Sequence, residues 1–159
     1  HTLIHKSDGL FSFGFNHSGQ LGIGNCENQN KATLVTNRND IVQISCGSSH
    51  SSFLTSNGNV FCFGFNGCGQ LGLGHNENRN KPTQISSLNH HKIIQICCGS
   101  HHTAVLSEKG NVLTCGYTNY GQLGDGTIDN KNIPVSMICD SSICSIGCGY
   151  YNIFFLVVI

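Results

Sequence analysis

The sequence holds no tryptophan and little charge: Lys plus Arg and Asp plus Glu come to 8 each, together 10% of 159 residues. With the signs in balance there is no global field to hold a polyanion, which excludes nucleic acid as a partner bound through this segment. No run of eighteen apolar residues occurs, so no membrane span is read, and no basic stretch followed by an apolar one opens the chain as a secretory leader would. Ten cysteines are present, yet none forms a CxxC pair, and Cys46, Cys98 and Cys148 recur at one repeat position. A small apolar residue repeated in this way reads as core filler rather than half of a bridge. The expected setting is a reducing one, cytoplasmic or nuclear.

What the chain has in abundance is glycine, twenty residues against two prolines, with asparagine scattered between short apolar runs. That mixture predicts tight turns joining short strands, hence an all-β chain. The length suits one ordinary domain, so a single architecture should account for all of it.

Two blocks recur in register. One is FGFNHSGQLGIG at residues 13–24, FGFNGCGQLGLG at 63–74 and CGYTNYGQLGDG at 115–126; the other covers residues 44–61, 96–113 and 146–159. The offset of roughly 50 to 52 residues is that of a propeller or solenoid, whose units hide their apolar faces only by stacking on neighbours. Within one unit, residues 43–46 read as a first strand, 50–55 as a second and 60–65 as a third. A short fourth strand is read at 83–85 after a polar loop. Asn57-Gly58 predicts a primed hairpin turn between the second and third strands. Four antiparallel strands per unit describe a propeller blade.

The GQLG blocks, Gly19-Gln20-Leu21-Gly22, Gly69-Gln70-Leu71-Gly72 and Gly121-Gln122-Leu123-Gly124, read as structural. The glycines permit turns that a Cβ forbids, the leucine fills a gap between blades, and the glutamine amide ties down buried backbone groups. A dinucleotide loop is excluded, because the glycine order is wrong and a polar loop follows where a helix N-terminus is needed.

CGxxH, an apolar strand, a Gly-containing hairpin, an aromatic third strand and GQLGxG, in that order, resemble the repeats of the regulator of chromosome condensation family. The match covers nearly the whole chain. The resemblance implies the blade of a seven-bladed β-propeller, and the expected organisation is one repeat domain over 1–159, with units 1–49, 50–101, 102–151 and the start of another at 152–159. The expected fold is therefore a partial β-propeller of about three four-stranded antiparallel blades. Three units and a fraction do not close such a ring, so a fragment of a longer propeller is expected, ahead of an oligomer that completes the ring or an open arc. Exposed edges, above all IFFLVVI at residues 153–159, otherwise invite edge pairing.

The densest chemistry is HHKIIQICCGSHH, holding His90, His91, Cys97, Cys98, His101 and His102. Its spacing fits no zinc pattern, and Cys98 and His102 match Cys46 and His50, which have no such cluster, so no metal and no cofactor is expected. His50 and His102 read as strand-start positions that bond a neighbouring loop. The carboxylates, Asp140 among them, fall mostly in loops, and no pair stands near a nucleophile, so no catalytic residue is named. Asn16-His17-Ser18 is a sequon whose counterpart, Asn66-Gly67-Cys68, is not one.

Function is sought where the units differ. In the turn before the second strand the variable positions are Ser48 and Ser49, Ser100 and His101, Tyr150 and Tyr151. The resemblance implies that this turn contacts a small GTPase in exchange-factor members, and the tyrosines are of a type enriched at interfaces. The expected function is a protein-interaction scaffold presenting variable loops to a protein partner. The alternative is guanine nucleotide exchange on a Ran-type small GTPase. Photoreceptor relatives depend on tryptophan, which this segment lacks.

Overall fold

Short apolar alternations between glycine-bearing turns give thirteen strands and no α-helix among the described residues, 1–139 and 143–157, of a computed structural model. Asp140 and the last two residues of the IFFLVVI run lie outside them. The first sheet holds β1 (Thr2–Lys6), β2 (Gly9–Gly14) and β3 (Gln29–Thr36) in that order. The second holds β4 (Ile41–Cys46), β5 (His50–Thr55), β6 (Val60–Gly64) and β7 (Arg79–Gln84). After a short 3₁₀ turn (Ser86–Leu88), the third repeats that order with β8 (Ile93–Cys98), β9 (His102–Ser107), β10 (Val112–Gly116) and β11 (Lys131–Ser136). β12 (Ile143–Cys148) and β13 (Ile153–Val157) pair as a fourth. All neighbours are antiparallel, which is a series of propeller blades left unclosed.

The hairpin at Asn57-Gly58 forms, but not through the predicted primed turn. Gly58 N–H donates to Thr55 O at 2.9 Å and Thr55 N–H to Asn59 O at 3.0 Å, while only Gly58 has a positive φ, +80°. No non-glycine residue among those described adopts one. A type I turn followed by one left-handed glycine therefore carries the bend, and the same bonds recur around Gly110. The fourth strand is longer than the read 83–85. β7 is RNKPTQ, polar and half-exposed, so it lacks the alternation that marks a buried strand, and Pro82 is tolerated at an outer edge.

The core lies between sheets. Leu3, Leu10, Ile41, Phe53 and Phe63 fill the first junction, with the Phe53 and Phe61 rings stacked at 4.9 Å. Leu71, Ile85, Ile93, Ile96, Val105 and Leu113 are among those filling the second. Cys97, Ala104, Leu106, Ile143 and Ile146 fill the third. Each sheet thus buries its faces against the next, as stacking units must. On β13, which among the described residues pairs with β12 alone, Phe154 and Leu156 are exposed.

Candidate protein-binding face

Strand pairing sets the site. His50 faces Gly64 and His102 faces Gly116, so the turns before β5 and β9 emerge at the same end as the loops that follow β6 and β10. The turn before β13 joins them through the Cys148 and Ile153 pair. Loops 15–28, 65–78 and 117–130 and turns 47–49, 99–101 and 149–151 therefore share one face.

Repeated hydrogen bonds hold this face. Gln20, Gln70 and Gln122 each accept through Oε1 from the backbone N–H two residues earlier, at 2.9, 3.0 and 3.0 Å. Asn66 donates to His75 O and Glu77 O at 2.7 and 3.1 Å and accepts from Leu71 N–H at 2.9 Å, closing the loop on itself. Gly69 sits at φ +83°, and a Cβ there would lie 2.6 Å from Asn132 Cα in the next sheet, so close approach as well as conformation demands glycine. Asn16 is wholly buried and donates to Asn25 O and Glu27 O, so its sequon offers no amide to a glycan.

The repeat histidines serve the junctions. Ser51 Oγ donates to Gln20 O at 2.8 Å and lies 2.9 Å from His1 Nε2; Thr103 Oγ1 donates to Gln70 O at 2.7 Å and lies 3.0 Å from His50 Nε2. Because each hydroxyl proton goes to a carbonyl, each imidazole supplies Nε2–H. The set stops at the third junction. Ile153 occupies the register position of Ser51 and Thr103, and His102 Nε2 has no partner among the described residues. Burial drives the His50 imidazole down to about 3, helped by His102 and His101, and lowers His102 as well. At that value His50 is no proton shuttle near neutral pH.

Two glutamines that sequence reasoning passed over join the inner strands. Gln43 accepts from Ile96 N–H at 2.8 Å and donates to Ile96 O at 3.0 Å; Gln95 does the same to Ile146 at 2.9 and 2.7 Å. The only sequence signal was a polar residue at matching places in two apolar strands.

Of the six variable turn residues, Ser100 is buried at 3% exposure, with its hydroxyl 2.9 Å from that of Ser48 and its N–H donating to Tyr150 O. Those two serines line a depression of about 240 Å³ with Cys46, Cys98, Cys148 and Tyr150. Ser49 and His101 are half-buried, and Tyr150 and Tyr151 are exposed. His101 meets Phe65 edge-on at 6.0 Å, and Tyr151 lies 6.3 Å from Tyr117, so in both units the residue before the repeat position packs near the aromatic that follows the preceding third strand.

The histidine and cysteine cluster does not converge, and no metal-holding group of three occurs among the described residues. His90 and His91 stand at the opposite end from His101, before β8. The core-filler reading of Cys148 is corrected: it is disulfide-bonded to Cys97, with Cα atoms 5.6 Å apart. Cys97 aligns with Ser45 rather than with Cys46, so the pair crosses repeat positions and position-by-position reading does not find it. Cys62, Cys98 and Cys115 are buried, and burial raises each thiol, Cys98 to about 11, which leaves them inert as nucleophiles.

The family model described as regulator of chromosome condensation (RCC1) repeat matches residues 7–54, 57–106 and 109–156. The human probable E3 ubiquitin-protein ligase HERC4 is 38% identical over 155 residues, 94% of this chain and 15% of that protein. Human E3 ubiquitin-protein ligase HERC2 is 36% identical over 148 residues, 88% of this chain and 3% of that protein. Among solved structures, human WBSCR16 superposes with a TM-score of 0.87 at 27% identity, covering 98% of this chain and 42% of that one. Prp20p of Saccharomyces cerevisiae, studied for its binding to Gsp1p and histones, gives 0.78 at 23% identity over 89% of this chain and 37% of that one, a likeness of fold.

Proposed function

The chain belongs to the regulator of chromosome condensation repeat family, and on that premise we propose that it is a propeller scaffold whose loop face binds another protein. The observation that carries this reading is a hydrogen-bonded framework repeated from unit to unit beneath turns that change chemistry, from Ser48 and Ser49 to Ser100 and His101 to Tyr150 and Tyr151. Ser48, Ser49, His101, Tyr150 and Tyr151 are the members of that set turned outward enough to meet a partner. A fixed frame with variable loops is how repeat folds recognise ligands. The unit boundaries at 49, 101 and 151 belong to the same reading, since each falls in one of these turns or at its edge.

Ubiquitin-ligase activity belongs by name to relatives of which this chain spans 15% or less, and it is not carried over. Exchange on a Ran-type GTPase has no specific support, because the three loops are equal in length and no inserted hairpin stands out on the face. Cytoplasm or nucleus stays part of the reading, and the Cys97 to Cys148 disulfide stands against it, because such bonds are rare in those compartments.

The test is affinity capture with the chain and with a His101→Ala, Tyr150→Ala, Tyr151→Ala variant of equal thermal stability. Proteins held by the first and lost by the second are the expected result. Identical capture sets refute the reading, and accelerated nucleotide release from a Ran-type GTPase replaces it with the alternative.

A further inference from the structure

The loop face is richest in aromatic surface at its third junction. Tyr117 and Tyr120 come from the loop after β10, Tyr150 and Tyr151 from the turn before β13, and the four rings gather across the seam. Centroids of Tyr117, Tyr120 and Tyr151 form a triangle with sides of 6.1, 6.3 and 5.7 Å, and two of its three pairs meet edge to face. Tyr120 is 74% exposed and Tyr151 46%, far more than filling a seam requires.

The loops themselves carry charge of one sign, while the strands that leave them bring Lys31, Arg79, Lys81 and Lys131 to their edge. Loops 15–28, 65–78 and 117–130 contain Glu27, Glu77, Asp125 and Asp129 and no Lys or Arg; the three turns add no Asp, Glu, Lys or Arg. Glu77 is paired with Arg79 and Asp125 with Lys131, whereas Glu27 and Asp129 are exposed and have no ion pair among the described residues. Away from this face, the chain covers aromatic rings with its own cations: Lys6 over Phe11 at 4.9 Å and Arg38 over Phe61 at 5.2 Å. No Lys or Arg of the described residues does so for the tyrosines.

We propose that Tyr117, Tyr120 and Tyr151 form a seat for an arginine or lysine side chain presented by a basic segment of the protein partner, a reading that rests on the loop-face function above. A cation above the triangle lies within about 6 Å of all three centroids, the reach of a cation–π contact. Asp129, exposed on the same loop as Tyr117 and Tyr120, supplies the longer-ranged attraction that steers a basic segment onto the face. An apolar or proline-rich segment would use the rings but gain nothing from the carboxylate.

The experiment titrates the full chain with a fluorescent Gly-Ser peptide carrying spaced arginines, and with its lysine, norleucine and glutamate counterparts. The arginine and lysine peptides bind and the other two do not, and Tyr ring protons of the unsubstituted chain shift on adding the arginine peptide. Tyr120→Ala weakens binding by about tenfold, Tyr120→Phe by no more than about twofold, since the ring alone is needed. Asp129→Asn weakens it at low salt only. Equal binding of the norleucine peptide, unmoved ring protons, or an unaffected Tyr120→Ala variant of unchanged thermal midpoint each overturns the seat. If the arginine peptide fails while partner capture still depends on His101, Tyr150 and Tyr151, the seat falls and the loop face stands; if capture is also indifferent to them, both fall.

Discussion

His50 donates its Nε2–H to the hydroxyl of Thr103, 3.0 Å away in the next sheet, and that hydroxyl donates onward to the Gln70 carbonyl at 2.7 Å. All three groups are buried, so no water replaces a lost member. Thr103→Val keeps the shape, strands the His50 N–H and leaves the Gln70 carbonyl only the weak Cys115 thiol donor at 3.6 Å. The expected cost is about 1–3 kcal/mol, a fall in thermal midpoint of about 3–10 °C, while Thr103→Ser loses less. Thermal unfolding followed by circular dichroism checks the order.

The same imidazole makes stability depend on pH. The buried His50 ring titrates at about 3 instead of 6.5, so between those values the unfolded chain binds the proton and the folded one does not. Its contribution is complete above pH 6.5 and is lost as pH falls toward 3, by up to about 1.4 kcal/mol per pH unit. His102, also lowered by burial, acts in the same direction. Unfolding midpoints at pH 7.5, 6, 5 and 4 should decline steadily, and His50→Gln should flatten the slope.

Gln95 mimics a strand when it bonds both backbone groups of Ile146. Gln95→Met keeps the length and removes both bonds, so the Ile146 amide should exchange with solvent at least about tenfold faster, the equivalent of about 1.4 kcal/mol of lost protection. Protection in β5 and β6 should be unchanged. Amide exchange resolved by residue makes the comparison.

Reduction should loosen the third junction first. There the histidine relay is missing, because Ile153 has no hydroxyl, and the Cys97 to Cys148 link, closing a separation of 51 residues, stands in its place. Such a link contributes about 2–4 kcal/mol. Limited proteolysis with and without reductant should cut within 143–157 only when reduced, and Cys97→Ser should make that cleavage independent of reductant.

Blade architecture was legible because the repeat is written in residues whose roles are local: glycines at turns, mostly apolar runs in β5, β6, β9 and β10 that are buried on both faces, glutamines that bond two residues back. The outer strands were read short because RNKPTQ carries no alternation at a solvent edge. The turn at Asn57 was misread because Asn-Gly serves both a primed turn and a type I turn with a left-handed glycine, and only the second leaves Asn57 at negative φ. Contacts between units were hidden for another reason. Tyr117 and Tyr151, Cys97 and Cys148, and Gln43 and Ile96 meet across sheets at unequal repeat positions, so aligning the units places none of them together. Of the turn residues chosen as variable, Ser100 differs from the rest in being buried, its hydroxyl against that of Ser48.

Gln43 and Gln95 grip their neighbours by the peptide group, the one part of a strand that every sequence shares. A joint of that kind does not read what it holds. The side chains of Ile96 and Ile146 can therefore change without loosening this grip, and what limits such change is the packing around them, not the glutamine.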